Sequence, residues 1–179
     1  GQCVKTQTIE GDSTFVKELL TDGKCDIAFL RSESSSVKEF NSIPYMIDYL
    51  TAVLPATHPL AKADNLPFEQ LRGETFLLFP EHSFINDLCI RECRNAGFEP
   101  HIAYTGNRGA TLIDLVRNGA GITLMMHHSA RQENDSSLAF IPVTPGIYSY
   151  ISLNYAKEKP LSPQAESFVR YVKAHKRDF

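Results

Sequence analysis

The run from Thr105 to Met126 constrains this chain most, because it reads in order as loop, helix, tight turn and strand. Leu112, Leu115 and Val116 fall at i, i+3 and i+4, one face of a short helix. Asn118-Gly119 supplies the stop, since glycine accepts the left-handed conformation that ends helices. Gly121 lets the backbone pass close to a neighbour, and Ile122 to Met126 is a short apolar strand. His101 to Thr105, just upstream, reads as another strand. Strand-helix-strand is the building block of a parallel sheet covered by helices. Ligands of such sheets bind beyond the carboxyl ends of the strands, where helix N-termini present their free N–H groups. A site is therefore expected over Thr105 to Thr111.

The rest of the chain extends the pattern. Cys3 to Glu10 reads as extended, and Asp12 or Ser13 is a natural N-cap for a helix with Phe15, Val16, Leu19 and Leu20 on its apolar face. Asp26 to Arg31 is a buried strand ending in a charge. Ile43 to Pro55 is a long extended run, able to leave one lobe and enter another. Leu66 to Leu71 reads as a short helix with proline in its first turn. Thr75 to Phe79 is a strand, and Ser83 to Ala96 a helix with Ile85, Leu88, Cys89 and Cys93 apolar. Leu138 to Val143 and Tyr148 to Tyr155 are further strands. Ser162-Pro163 opens a last helix with Ala165, Phe168, Val169 and Val172 on one face. Cations at its end (Lys173, His175, Lys176, Arg177) suit a helix C-terminus.

Three segments, in order, carry a family resemblance: IEGDSTFVKELLTDGKCDIAFL, AVLPATHPLA and LIDLVRNGAGITLM. They resemble the effector-binding domain of LysR-type transcriptional regulators, with Met126 where that family usually has proline. The resemblance implies an α/β, two-lobed fold like the type 2 periplasmic binding proteins, with two crossover strands. The expected division is 1–50 with 148–179 as lobe I and 51–147 as lobe II. The family carries a further strand and helix before the segment that begins near Cys3. On that comparison lobe I is N-terminally incomplete, and the family's winged helix-turn-helix and linker helix also lie outside this sequence. The chain opens on Gly1-Gln2 and not on methionine, as a fragment would.

The family's pocket positions, matched residue by residue, fall on Asp12, Ser13, Arg31, Ser83, Phe84 and the loop Thr105, Gly106, Asn107 and Arg108. Arg31, at the end of a buried strand, is the leading candidate, because a guanidinium grips a carboxylate with two parallel N–H bonds. Structural roles compete at each place. Asp12, Ser83 and Thr111 are able simply to cap helices, Phe84 to fill core, Arg108 to be solvated, and Arg31 to pair with Asp12 or Glu33. The implied ligand is a small anionic effector held between the lobes, and the implied assembly a homodimer or tetramer.

Composition limits the alternatives. A net charge of −3 argues against nucleic-acid binding, which normally needs a basic face, so DNA contact is expected only through a domain not in this sequence. There is no apolar run of membrane-spanning length and no signal segment, which points to the cytoplasm. The four cysteines, Cys3, Cys25, Cys89 and Cys93, show no metal spacing and read as small hydrophobes of a reducing compartment. Peroxide-sensing members of the family hold a reactive cysteine where Phe84 stands, so redox sensing is disfavoured. His127-His128, read as strand neighbours, point to opposite faces and do not share a metal ion. No catalytic motif is present, and neither enzyme activity nor a cofactor is expected. The rival reading is an extracytoplasmic solute-binding protein of a transporter, which shares the fold.

Overall fold

The computed structural model describes residues 7–131 and 135–175. The chain divides into two units, 1–47 with 149–179, and 48–148. The polypeptide runs between them within two strands, β2 (Asn41–Pro55) and β8 (Tyr148–Tyr155).

In the first unit, α1 (Ser13–Thr21) leads into β1 (Ala28–Ser32). The sheet order is β1-β8-β2, and β1 pairs antiparallel with β8, setting Leu30 opposite Ser152 and Arg31 opposite Ile151. One sheet face buries Ala28 and Leu30 with Leu20 of α1 and Phe40. The other buries Ile43 and Leu153 under Val169 and Val172 of α5 (Pro163–Ala174). Ser162 caps α5 by accepting from the Ala165 N–H, and Pro163 at the first helical position needs no partner for its nitrogen. Phe168 is less covered than the periodicity implies, at 42% exposure.

The second unit is built on two parallel strands, β4 (Thr75–Leu78) and β5 (His101–Thr105), with α2 (Phe84–Asn95) as the crossover. The parallel pattern continues on the other side of β4. Ile122 exchanges backbone bonds with Thr75 and Leu77, leading into β6 (Thr123–Met126). The expected strand-helix-strand unit is therefore β5, α3 (Gly109–Arg117) and β6, with β4 lying between its two strands. Gly121 is where the backbones come closest, since a Cβ there would stand 2.4 Å from the Thr75 carbonyl oxygen. On the far side, β2 pairs antiparallel with both β6 and β7 (Leu138–Thr144), and β3 (Leu66–Pro67) adds in parallel to β7. Phe76, Leu78, Leu88, Cys89 and Leu124 are buried in one core layer, and Leu77, Leu112, Ile113, Val116 and Met125 in the other.

Several local readings need correction. Leu66 and Pro67 are a strand bridge, and the helical turn after them is a 3-10 turn over Phe68–Leu71, because Leu66 pairs with Val143. Residues 7–10 are in no strand, and the rest of the Cys3–Glu10 segment lies outside the described residues. So do Lys176 and Arg177. Ile113 joins Leu112 and Val116 as a fully buried residue of α3, while Leu115 is only half-buried. His127 and His128 begin a short helix, α4 (His127–Ala130), not a strand continuation. The Asp48 carboxylate on β2 accepts from the His128 N–H at 3.1 Å and so satisfies the start of that helix.

Candidate functional site

In the first unit, three predicted residues meet at the N-terminus of α1. Asp12 is the N-cap, accepting from the Thr14 N–H at 2.9 Å. Ser13 does not cap. Its hydroxyl accepts from the Arg31 backbone N–H at 3.0 Å and ties the helix start to the end of β1. The Arg31 side chain donates through Nη1 to Ser149 Oγ at 2.6 Å, and Ser149 is fully buried. The guanidinium is thus tied to β8, while the Arg31 backbone is tied to the N-terminus of the nine-residue α1. A charge-assisted bond to a fixed hydroxyl cuts the rotamer freedom this side chain would lose on gripping an anion.

In the second unit, β4 and β5 end level, with Leu78 paired to Thr105, so the two loops that follow leave from the same edge. Gly106 prolongs the pairing by donating to the Leu78 carbonyl at 3.0 Å. The Tyr104 ring lies across Gly106, where a Cβ would stand 2.7 Å from it, so a side chain at 106 would displace the ring. Arg108 stands at the N-cap position of α3 with extended backbone and no side-chain cap bond, and the first turn Gly109-Ala110-Thr111 holds no acidic residue. Thr111 is inside the helix and does not cap it. The Thr111 N–H bonds back to the Arg108 carbonyl, so it is the Gly109 and Ala110 N–H groups that keep their capacity for an acceptor from outside the helix.

The loop after β4 is held more firmly. Ser83 caps α2 by accepting from the Asn86 N–H at 3.3 Å. The buried Asn86 amide donates to the Phe79 carbonyl at 2.8 Å. His82 has φ 64°, a conformation that bulky side chains rarely adopt. Phe84 is half-buried against the core layer of Leu78 and Leu88, so its first role is packing. Ser83 and Phe84 thus share one edge with Thr105, Gly106, Asn107 and Arg108, while Asp12, Ser13 and Arg31 form a separate cluster on the first unit.

Three contributors were not found from sequence. Ser149 orients Arg31 from 118 positions away, a distance at which no local pattern operates. Asn86, a polar residue on a buried helix position, was a readable signal of a backbone clamp. His127 follows β6 at the same strand edge. It stacks on Tyr49 at 4.3 Å and its Nδ1 lies 3.3 Å from Thr51 Oγ1. Burial and the neighbouring Arg131 hold its pKa below the ordinary histidine value. Among the described residues no cluster of His, Cys, Asp or Glu has the makings of a metal site. Cys89 and Cys93 are fully buried free thiols, and burial pushes Cys93 up to about 12 and Cys89 up as well. Neither has the thiolate character of a redox-active cysteine.

Comparison with known proteins agrees with this architecture. The profile of the LysR substrate binding domain matches residues 3–177. The transcriptional dual regulator GltC of Bacillus subtilis (strain 168) is 26% identical over 164 residues, 91% of this chain and 55% of its own length. The chain spans little more than half the length of such relatives. Among solved structures, the regulatory domain of CcmR from Synechocystis PCC6803, in complex with 2-PG, has a TM-score of 0.83 at 16% identity, covering 93% of this chain and 81% of that one. The effector binding domain of QuiR in complex with shikimate has a TM-score of 0.75 at 19% identity, covering 93% and 78%. No helix among the described residues is long and apolar enough to cross a membrane. The match over nearly the whole sequence, together with the two-crossover fold, shows that the chain belongs to the LysR substrate-binding-domain family.

Proposed function

We propose that this domain senses a small anionic metabolite for a cytoplasmic, dimeric transcriptional regulator. The observation that carries this reading is Arg31, whose backbone is pinned by Ser13 and whose guanidinium is pinned by Ser149. A pre-oriented fork at a strand end matches a carboxylate or phosphate better than a mobile surface arginine does. Ser13 and Asp12 belong to the same recognition cluster. On the second unit, taken by itself, Ser83, Phe84 and the loop Thr105 to Arg108 are the proposed recognition residues, where the uncapped start of α3 favours negative charge. CcmR and QuiR, whose structures are complexes with 2-PG and with shikimate, support a small-molecule effector for a domain of this fold.

The domain acts by binding and turns nothing over. An effector shifts the regulator only by preferring one conformation to another, so its leverage equals its differential affinity for the two. DNA contact belongs to sequence beyond these 179 residues, in keeping with their net charge of −3. The test is a thermal-shift screen against small carboxylates, phosphorylated acids and amino acids. A ligand specific to the native state adds about 2.7 kcal/mol at a hundredfold excess over Kd. A stabilising acid whose effect disappears in Arg31→Ala is the expected result. Stabilisation by neutral compounds alone, unaffected by Arg31→Ala, overturns the reading.

A further inference from the structure

We infer that the second unit holds another small-molecule site, built for an uncharged aromatic ring, beside the two segments through which the chain enters and leaves that unit. A cavity of about 350 Å³ is lined there by Tyr49, Asn65, Pro142, Thr144, Gly146 and Tyr148, together with the buried Leu50 and Val143. That volume falls in the range of small-molecule pockets, roughly 300–1,000 Å³. All its lining residues lie within 48–148. None of the residues assigned to effector recognition lines it, so this site stands or falls independently of that proposal.

Its walls are built rather than incidental. The Tyr49 ring is fixed by stacking on His127, with the planes 19° apart, and its backbone N–H donates to Asp48 at 2.9 Å. The Leu50 N–H donates to the Ile147 carbonyl at 2.8 Å and fastens the loop before β8 to β2. The Tyr148 ring lies over Gly146, where a Cβ would stand 2.9 Å from it, so the glycine makes room for the ring. Two tyrosine rings and a proline ring thus offer flat apolar surface to a flat guest.

The polar groups set the ligand's chemistry. Thr144 Oγ1 donates to Asn65 Oδ1 at 3.2 Å. That bond commits the amide oxygen and leaves the Asn65 nitrogen as the donor for a carbonyl or hydroxyl on the guest. No charged side chain lines the cavity. The rim at Asn65, Thr144 and Tyr148 is exposed, so a carboxylate entering would lose only part of its hydration, but it would meet no cation among the lining residues, whereas an amide or phenol loses less. The site therefore favours a neutral ring with one acceptor group over the corresponding acid. Tyr49 is the second residue after the 47/48 boundary and Tyr148 the last before the 148/149 boundary, so a bound ring touches both connecting segments at once.

The test is a titration of the chain with benzamide, followed by amide ¹⁵N–¹H spectra, with benzoate as the charged counterpart of the same ring. Saturable shifts at Gly146 and at the Asn65 side chain are expected. Benzoate should bind at least about threefold more weakly, and Asn65→Ala should weaken benzamide by a similar factor, as expected for one lost hydrogen bond at a partly solvated site. Tyr148→Ala, at a residue 56% exposed and so safe for folding, should weaken it too. Arg31→Ala should leave benzamide binding unchanged. Shifts that do not saturate, that map elsewhere, that are equal for benzoate, or that persist in both cavity variants would overturn the proposal.

Discussion

Arg31 Nη1 and Ser149 Oγ are 2.6 Å apart, a bond between a half-buried guanidinium and a fully buried hydroxyl contributed by β8. Ser149→Ala keeps the Arg31 charge and removes what orients it. The expected result is weaker anion binding together with a stability loss of about 1 kcal/mol, the usual net worth of one hydrogen bond. Chemical denaturation and ligand titration on the same variant separate the two effects. Unchanged affinity would mean that Ser149 does not position the arginine.

Asn86 is the corresponding clamp in the second unit. Its amide donates to the Phe79 carbonyl, and Asn86→Ala leaves that acceptor without its partner in a buried setting. A loss of about 1–3 kcal/mol is expected, measured by urea denaturation with an unchanged m-value. Asn86→Asp should be no better, because a carboxylate offers no N–H to the carbonyl.

Gly121→Ala should be among the most damaging small substitutions. The added methyl would meet the Thr75 backbone oxygen at 2.4 Å, and no side-chain rotation relieves contact with a backbone atom. The strands must part, at a cost of about 2 kcal/mol or more by analogy with overpacked cores. Gly119→Ala, at φ 76° with open space around it, should cost about 1 kcal/mol through backbone conformation alone.

His127 gives a pH signature. Its folded pKa lies below the ordinary value of 6.5, through burial first and then Arg131, so the native state binds its proton less readily than the unfolded chain. Stability from this residue is complete above the unfolded value. It declines as pH falls below about 6.5, and the decline ends once pH passes the lower folded pKa. The His127 ring resonances should titrate below ordinary histidine, and His127→Phe should flatten the stability profile between pH 5 and 7. A ring titrating at or above 6.5 would contradict the burial argument.

Cys89 and Cys93 should resist alkylation in the native state at neutral pH, since burial keeps both protonated and covered. Cys25, half-buried and with its pKa raised less far, should react before them. Mass spectrometry after brief iodoacetamide treatment checks the order. Rapid modification of Cys93 by dilute peroxide would reopen a redox role.

Much of this fold was legible because its signals are local. Asp12, Ser83 and Ser162 cap the helices they appear to cap, and Gly23, Gly97 and Gly119 end helices with positive φ, as their positions suggest. The length of β2 and the extent of β8 were also readable, although β8 buries Ser152, Leu153 and Asn154 in succession and does not alternate. What was hidden depends on distant residues. The helical turn at His127 rests on Asp48, 80 positions earlier, and nothing in the sequence His127-His128-Ser129-Ala130 announces it. Leu66 becomes a strand only because β7 pairs with it. Arg31 stood out by type and place, while the groups that fix it, Ser13 as an acceptor and Ser149 as a buried partner, appear only in three dimensions.

Isothermal titration of the most stabilising acid from the screen, against the native chain and Arg31→Ala, tests the central claim most directly. A loss of at least about tenfold in affinity is the predicted result, the scale of one charge-assisted hydrogen bond removed. Equal affinity in Arg31→Ala would contradict it and remove Arg31 from the effector site.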